Sequence, residues 1–329
     1  SKLGRVNLIT GKNNTGKTIL LEALRIWASE GDASVVNNII WKRGDWDEGS
    51  EEKTYKSLFN FFEEQGYNKF KINLLWIKSQ FEKTHANSRN SYFKSLLVYF
   101  LNKVVKEKFD SKKKEMGGYF DESDFLETNA KVLREVKFSI GNKEHPQDKA
   151  IFVPASIEFD NKKLWAGIDL TDKKDIVIQI LQVIEPSIID LGIIDNVARV
   201  RTKDSKIPVP LKNFGEGLNR LLTIAMALVS AEDNLLLIDE IDTGLHHSVL
   251  EKLWEIIFEY AEKLNAQVFV TTHSGDCVDA FAAVTNQERF KGLGNYFRLQ
   301  RKRNSDEIVP VFYDENELEI AVEQDIETR

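Results

Sequence analysis

Short apolar runs alternate with amphipathic stretches near the start of the chain and again after residue 148. The run Arg5–Thr10 predicts a buried strand, and Ile19–Trp27 carries its apolar residues at the spacing of a helix. Further strands are predicted at Ala150–Val153, Ile193–Arg201, Ile207–Leu211, Asn234–Glu240, Gln267–Ser274, Tyr296–Arg301 and Ile308–Tyr313. Further helices are predicted at Ile176–Ile184, Leu218–Val229, His246–Leu264 and Glu315–Glu323, with a cap at Thr171–Asp175 and a hairpin turn at Lys203–Lys206. This pattern predicts an α/β fold in which helices flank a central mixed sheet.

Residues 45–147 have a different pattern, with an acidic, turn-prone entry and two amphipathic stretches. Tyr55–Glu64 and Ser91–Phe109 predict helices, and Phe70–Phe81 and Glu135–Ile140 predict strands. We therefore expect one domain formed by residues 1–44 and 148–329, interrupted by a mainly helical insertion at 45–147. Six lysines between positions 103 and 114 lie at the end of the second helix. Such a charge run is most often a solvated helix end, and contact with nucleic acid is the alternative.

A glycine loop connects the first predicted strand to the first predicted helix, and its sequence from Gly11 to Thr18 is Gly-Lys-Asn-Asn-Thr-Gly-Lys-Thr. Strand, loop and helix come in the order that a phosphate-binding P-loop requires, and a chance match in a glycine-containing turn is the weaker interpretation. Main-chain N–H groups of the loop would bind phosphate oxygens, Lys17 would reach the β and γ phosphates, and Thr18 would bind Mg²⁺. The predicted nucleotide-binding residues here are Gly11, Asn13, Asn14, Thr15, Gly16, Lys17 and Thr18.

Two later strands end in residues that can act on a phosphate. The apolar run after Asn234 ends in Asp239 and Glu240, and the run after Gln267 ends in His273. Asp239 would hold Mg²⁺ together with Thr18, and Glu240 would polarise the water that attacks the γ phosphate. Taken alone, two acids are equally consistent with a soluble strand end, and a lone histidine is more often structural. The P-loop upstream favours the functional interpretation of all three residues.

Composition narrows the class of protein. The 329 residues include 42% hydrophobic residues and carry a net charge of −7, so the chain is globular and is not coated in positive charge. A single cysteine excludes an internal disulfide, which is typical of a reducing cytosol, and we expect a cytoplasmic protein. Neither a signal peptide nor a membrane-spanning apolar run is present, so no membrane partner is expected. Because the chain begins at Ser1, we expect preceding sequence, including a partner strand for the first strand.

Four motifs together resemble the ABC-type ATPases of the SMC, RecF and Rad-fifty group, and most closely the compact ATPases related to the OLD (overcoming lysogenisation defect) proteins. The resemblance covers the P-loop region and nearly all of residues 150–329. The motifs are the P-loop, the stretch Leu211–Leu222 with its Gly215-Glu216-Gly217 turn, Leu235–His247 and Phe269–Ser274. The resemblance implies the fold of a P-loop NTPase of ABC-ATPase type.

The resemblance also implies residue roles. Gly215, Glu216 and Gly217 would be the signature motif, placed over the γ phosphate bound by the other subunit, with Arg220 nearby in the same helix. Asp242 would cross the dimer interface, and His273 would sense the γ phosphate. Two subunits would close around two ATP molecules as a homodimer. Many relatives have serine where this chain has Gly215, which puts the rate of hydrolysis in doubt more than binding.

Three functional hypotheses follow. The first is a Mg²⁺-dependent ATPase that regulates a separate effector protein in defence against phage or other foreign DNA. A nuclease is the expected effector. This first hypothesis is favoured because no nuclease motif follows His273 and no long coiled-coil arms are predicted. The second is a RecF-like repair ATPase that binds DNA itself. The third is a nucleotide-locked scaffold with little turnover, to which the glycine at position 215 gives some weight.

Overall fold

The computed structural model describes residues 3–29, 35, 38–39, 42, 150–156, 161–194, 197–302 and 308–323. The predicted insertion at 45–147, with its helices, strands and lysine cluster, lies outside these residues. Its division from the α/β domain therefore stays a prediction. All residues of the candidate site belong to one compact unit that includes Ser1–Leu21 and Ala150–Arg329.

Nine strands are found in the described part of the chain. They are β1 (Val6–Gly11), β2 (Ala150–Val153), β3 (Ile188–Ile194), β4 (Val197–Thr202), β5 (Ser205–Pro210), β6 (Leu235–Ile238), β7 (Gln267–Thr271), β8 (Gly294–Arg301) and β9 (Ile308–Tyr313). Six of them form a central sheet in the order β2-β6-β7-β1-β8-β9. The first five strands of that order run parallel, and β9 is antiparallel to β8. Every residue of β1, β6 and β7 is buried, as expected when both faces of a parallel sheet are covered.

Strand β1 lies inside the sheet and has a parallel partner on each side. Leu8 lies opposite Val270 of β7 and opposite Tyr296 of β8. The expectation of a missing partner strand for β1 is therefore wrong, because both partners come from later in the same chain. Since β1, β6 and β7 are parallel neighbours, the loops that follow them meet at one edge of the sheet.

The helices of the described residues are α1 (Lys17–Ala28), α2 (Asn161–Ala166), α3 (Lys173–Gln182), α4 (Glu216–Ser230), α5 (Leu250–Lys263), α6 (Gly275–Thr285) and α7 (Glu315–Glu323). Helix α4 packs on β2 and β6, and α5 packs on α6. Eleven of the fifteen residues of α4 are buried, which places this helix at the centre of the core. The mixed sheet and its flanking helices confirm the predicted α/β fold.

The second sheet corrects one prediction. Strands β3, β4 and β5 form an antiparallel sheet in which Ile193 lies opposite Ala198, so the single strand predicted over Ile193–Arg201 is wrong. The apolar residues on both sides of positions 195 and 196 were continuous enough to resemble one strand. Thr202 lies opposite Ser205, so the predicted hairpin turn exists but is two residues long instead of four.

Helix α6 is absent from the elements predicted above. Ser274 caps it by accepting a hydrogen bond from the Cys277 N–H at 3.3 Å. Its buried side packs on α5, where the Trp254 indole N–H donates to the Cys277 carbonyl at 3.0 Å. The predicted cap of α3 is also only partly correct, because Asp172 precedes that helix without a side-chain capping hydrogen bond.

Candidate functional site

The P-loop has the backbone that its glycines allow. Gly11 has φ 146°, and a Cβ at this position would lie 2.4 Å from the Leu299 carbonyl oxygen of β8. Gly16 has φ 82° and Asn14 has φ 61°, both in the left-handed region. The Lys12 carbonyl accepts from the Thr15 hydroxyl at 2.8 Å. The turn is therefore closed by its own residues, while the side chains of Asn13 and Asn14 are exposed.

Lys17 begins α1 and is only 6% exposed. Its Nζ donates to the carbonyl oxygens of Gly11 at 2.6 Å and Lys12 at 3.1 Å. Burial lowers the pKa of Lys17 below its ordinary value, and the carboxylates of Glu240 and Asp239 act in the opposite direction. A charged ammonium that is desolvated and held by carbonyls can exchange those partners for phosphate oxygens.

Thr18 and Asp239 meet at the carboxyl end of β6, while their binding of Mg²⁺ stays a prediction. The Thr18 hydroxyl donates to Asp239 Oδ2 at 3.0 Å and lies 3.3 Å from Oδ1. A second hydroxyl, from Thr271, donates to Oδ1 at 2.6 Å. Oxygen ligands of this kind fit Mg²⁺, which typically takes one or two protein ligands and completes its shell with waters and phosphates. The described residues contain no cluster of three or more His, Cys, Asp or Glu side chains that could hold a metal ion.

Glu240 and His273 lie side by side beyond the strand ends. The His273 Nε2 is 3.5 Å from Glu240 Oε1, and both side chains are partly exposed. Glu240 has φ 48°, a conformation that is strained for a residue with a Cβ and that recurs at functional sites. Its N–H donates to the Thr271 hydroxyl at 2.9 Å. A carboxylate held beside the P-loop and a histidine can accept a proton from water and respond to a bound phosphate.

Arg220 has a structural environment that the sequence did not indicate. It lies in α4, is 3% exposed, and donates through its terminal nitrogens to three main-chain carbonyls. These are the carbonyls of Pro154 at 2.7 Å, Asp239 at 2.8 Å and Glu240 at 3.2 Å. Burial lowers the pKa of Arg220, although nearby carboxylates oppose the shift. Arg220 therefore connects α4, the helix that begins at the predicted signature motif, to Asp239–Ile241, which we call the acidic loop. Its contact with nucleotide stays a prediction.

The turn Gly215–Gly217 is at the surface, with Gly215 and Glu216 exposed at the start of α4. Gly215 has φ 101° and ψ 162°. A Cβ at Gly217 would lie 2.9 Å from the Gly244 carbonyl oxygen, so the signature turn packs on the loop that contains Asp242. The Asp242 carboxylate accepts a hydrogen bond from the Thr272 hydroxyl of the same chain. The positions of these residues in a dimer stay a prediction.

Two residues that contact predicted site residues, Thr271 and Thr272, were not identified by the sequence reasoning. Both belong to the stretch Phe269–Ser274 that carries the predicted histidine, and both are fully buried. Their hydroxyls contact Asp239 and Asp242, respectively. Two consecutive threonines at the end of an otherwise apolar strand were the available signal.

None of the helices that the structure describes is long and apolar enough to span a membrane.

Comparison with known protein families shows the family to which the chain belongs. A family model described as "AAA domain, putative AbiEii toxin, Type IV TA system" matches residues 52–276. The chain belongs to this family. The match contains the signature turn, Asp239, Glu240 and His273, and the P-loop precedes it. Membership in this AAA-domain family agrees with the predicted class of P-loop ATPase, while the finer resemblance to OLD proteins stays a prediction.

Two relatives share about a third of their residues with this chain over short regions. A Helicobacter pylori protein named "ATP/GTP phosphatase" is 31% identical over 126 residues, which cover 37% of this chain and 34% of that protein. An uncharacterized protein of Methanocaldococcus jannaschii is 32% identical over 85 residues, which cover 26% of this chain and 75% of that protein. The chain thus spans about a third of the length of the Helicobacter pylori relative.

The solved structures to which this chain was matched include SMC head domains. The head domain from Thermotoga maritima is 10% identical with a TM-score of 0.34, over 50% of this chain and 54% of that one. The Smc head domain from Pyrococcus furiosus, bound to the C-terminal domain of ScpA, is 11% identical with a TM-score of 0.42. That comparison covers 98% of this chain and 94% of that one.

Proposed function

We propose that this chain is a Mg²⁺-dependent ATPase that dimerises around ATP and regulates a separate effector protein. The observation that carries this proposal is the meeting of the P-loop, the acidic end of β6 and the histidine after β7 at one edge of the sheet. The name of the Helicobacter pylori relative, which refers to phosphatase action on ATP and GTP, supports the choice of substrate class.

Each group at this edge has a part in hydrolysis of the terminal phosphate. Lys17 binds the β and γ phosphates and offsets their charge. Mg²⁺, when held by Thr18 and Asp239, supplies further charge stabilisation. Glu240 accepts a proton from water as the new bond to phosphorus forms and the bond to the leaving ADP breaks. His273 can donate a hydrogen bond to a γ-phosphate oxygen.

Dimerisation is supported by the position of the signature turn. Gly215 and Glu216 are exposed, and they begin a helix of fifteen residues whose first N–H groups are suited to an anion. A second copy of the chain would present its own bound nucleotide to this turn. Because ATP then contacts both copies only in the closed state, nucleotide binding favours closure and hydrolysis favours opening.

Regulation of a separate effector is the finer part of the proposal. The description of the AAA-domain family names a toxin and a type IV TA system, which fits a defence role better than general DNA repair. We place the chain in defence against phage or other foreign DNA, with a nuclease as the effector. Direct binding of DNA by the chain is the alternative, and it predicts that DNA stimulates hydrolysis with a steep dependence on salt.

Hydrolysis is tested by phosphate release from Mg-ATP. We expect Glu240→Gln to bind ATP with unchanged affinity and to lose at least about 100-fold in turnover, the lower range for a general base. Glu251→Gln, on the exposed surface of α5, is the matched control and keeps full turnover. Equal turnover in Glu240→Gln and Glu251→Gln would contradict the assigned role. Negligible turnover in the unmodified chain, with tight ATP binding, would favour the nucleotide-locked scaffold.

The effector is tested by native mass spectrometry of the tagged Glu240→Gln protein, purified from its own host with ATP and Mg²⁺. A stoichiometric second protein of nuclease type, together with altered phage growth when the effector is deleted, would support the defence proposal. A bare homodimer, or one that carries only DNA, would favour the repair ATPase.

A further inference from the structure

Thr271 is the last residue of β7 and is fully buried next to the candidate site. It lies opposite Ile9 of the strand that leads into the P-loop. Its side chain is neither a predicted metal ligand nor a predicted contact of nucleotide. Its contacts nevertheless reach three consecutive residues of the acidic loop.

The three contacts use both the side chain and the main chain of Thr271. Its hydroxyl donates to Asp239 Oδ1 at 2.6 Å and accepts from the Glu240 N–H at 2.9 Å. Its carbonyl accepts from the Ile241 N–H at 3.1 Å. A hydroxyl has one proton to donate, and here that proton goes to the carboxylate, which fixes the direction of the hydroxyl.

We propose that Thr271 is the positioning residue that orients both the metal-binding carboxylate and the water-polarising glutamate. With Oδ1 of Asp239 held by Thr271, the oxygen nearest Thr18 is Oδ2, at 3.0 Å. The carboxylate therefore cannot rotate without losing a buried hydrogen bond. Groups that hydrogen-bond a metal ligand in this way set its orientation and its affinity for the metal.

The same hydroxyl supports the unusual backbone of Glu240. A left-handed conformation at a glutamate persists only where the surroundings stabilise it. The hydrogen bond from the Glu240 N–H to the Thr271 hydroxyl is such a contact, because it holds the main chain of Glu240 after β6 has ended at Ile238. One hydroxyl thus couples the orientation of the metal ligand to that of the neighbouring catalytic candidate.

This inference rests on the proposed function, because it requires that Asp239 contacts the metal of a bound Mg-nucleotide. The test is the affinity for an ATP analogue with an imido bridge between its β and γ phosphates, measured by calorimetry with Mg²⁺ and with EDTA. The ratio of the two affinities is the gain that Mg²⁺ gives. A role in general stability would lower both affinities together, whereas a role at the metal changes the ratio.

Three variants make the comparison. Thr271→Val keeps the shape of the side chain and removes the hydroxyl. We expect it to lower the ratio of the two affinities about tenfold, with little change in the affinity measured with EDTA. Thr271→Ser keeps the hydroxyl and should retain the gain within about threefold of the unmodified chain. Thr285→Val removes a buried hydroxyl that donates to carbonyls within α6, and it should leave the ratio unchanged.

An unchanged ratio in Thr271→Val would overturn the inference while leaving the proposed function intact. Absence of analogue binding in the unmodified chain, with or without Mg²⁺, would overturn both. If Thr271→Val does not fold, Thr271→Ser and Thr271→Ala give the same comparison, since both lack the methyl group and differ by one hydroxyl. Equal ratios in that pair would also overturn the inference.

Discussion

Lys17 holds its positive charge where burial makes that charge costly. The side chain is 6% exposed, and desolvation lowers its pKa from the model-peptide value of 10.5. Below the lowered pKa the ammonium is charged and can bind phosphate. Above it the amine is neutral, and the attraction for phosphate is lost. Phosphate binding must therefore depend on pH in a range where an ordinary lysine is still fully charged.

We predict that the affinity for ATP, measured by calorimetry without added metal, begins to fall at a pH below 10.5 as the pH rises. Above the pKa of Lys17, the affinity for ATP should fall by up to about tenfold for each pH unit, because phosphate binding requires the one proton that the amine has lost. Lys263→Met is the control, because Lys263 is an exposed lysine paired with Glu259 and should leave the profile unchanged. An affinity that stays constant up to pH 10.5 would contradict the assignment of Lys17.

Gly215 occupies the position where the resemblance to ABC-type ATPases would lead one to expect serine, and the structure gives a physical reason for glycine. Its φ of 101° and ψ of 162° belong to a region that only glycine populates readily. Among the residues that the structure describes, apart from the two chain neighbours of Gly215, no atom lies within 4 Å of a Cβ built there, so the obstacle to serine is backbone conformation and not space.

We predict that Gly215→Ser lowers the free energy of unfolding by about 1–3 kcal/mol, as for other residues forced into this region. Urea denaturation measures the change. Gly192→Ala in β3 is the matched control, since its Cβ also meets open space and its φ is ordinary. That control should shift stability by no more than about 0.5 kcal/mol. Equal stability of Gly215→Ser and the unmodified chain would show that the turn adopts another conformation.

Individual site residues differed in how well the sequence could identify them. Lys17 and Thr18 have a fixed spacing from the loop glycines, and Asp239 directly follows an apolar strand, so local pattern was sufficient. Thr271 contacts Asp239 from 32 positions away, through the pairing of two parallel strands. Such a contact depends on strand order and register, which the pattern of one strand does not contain.

Helix α4 is coupled to two loops of the sheet through one side chain. Arg220 donates to the carbonyl after β2 and to the two carbonyls that follow β6. Its Nε has no hydrogen-bond partner in the described part of the chain, where these three acceptors orient the guanidinium. A change in the position of α4, which begins at the signature turn, must therefore move the main chain of Glu240 or break these bonds.

We predict that Arg220→Met lowers the free energy of unfolding by about 3 kcal/mol, because buried carbonyls that lose a charged donor cost about 1–3 kcal/mol each and partly relax. Turnover per folded molecule should also fall. Urea denaturation and phosphate release are the measurements. Arg201→Met, on the half-exposed surface of β4, is the control, and its ion pair with Asp190 should contribute no more than about 1 kcal/mol. A similar small loss in both variants would contradict the coupling.

At the level of elements, the central sheet could be predicted and the second sheet only in part. The strand before Asp239 is a continuous apolar run, and the strand before the P-loop is mostly apolar and fully buried, as parallel sheets require. Strand β3 has no regular alternation of buried and exposed residues, so its boundary with the alternating strand β4 could not be located from the pattern. Helix α6 has small and apolar residues on several sides, which weakened its helical period.

At the scale of the whole molecule, the signature turn is an exposed part of the α/β unit that packs on the loop containing Asp242. The P-loop and acidic loop are joined by hydrogen bonds within the chain, while the turn before α4 is exposed, including Phe214, which is 37% exposed. An exposed aromatic residue beside an exposed helix N-terminus is suited to a partner that carries both an apolar surface and an anion. A second copy with ATP in its P-loop would be such a partner.

We predict that Glu240→Gln is a monomer without nucleotide and a dimer with Mg-ATP in size-exclusion chromatography with light scattering. Adding Phe214→Asp should weaken this dimer at least about tenfold, because a carboxylate placed against phosphate across an interface costs several kcal/mol. The matched control adds Ile320→Asp instead, on the exposed side of α7, and should dimerise as Glu240→Gln does. If both double variants dimerise equally, the signature turn lies outside the interface. If Glu240→Gln stays monomeric with saturating ATP, closure around nucleotide is not how this chain uses its site.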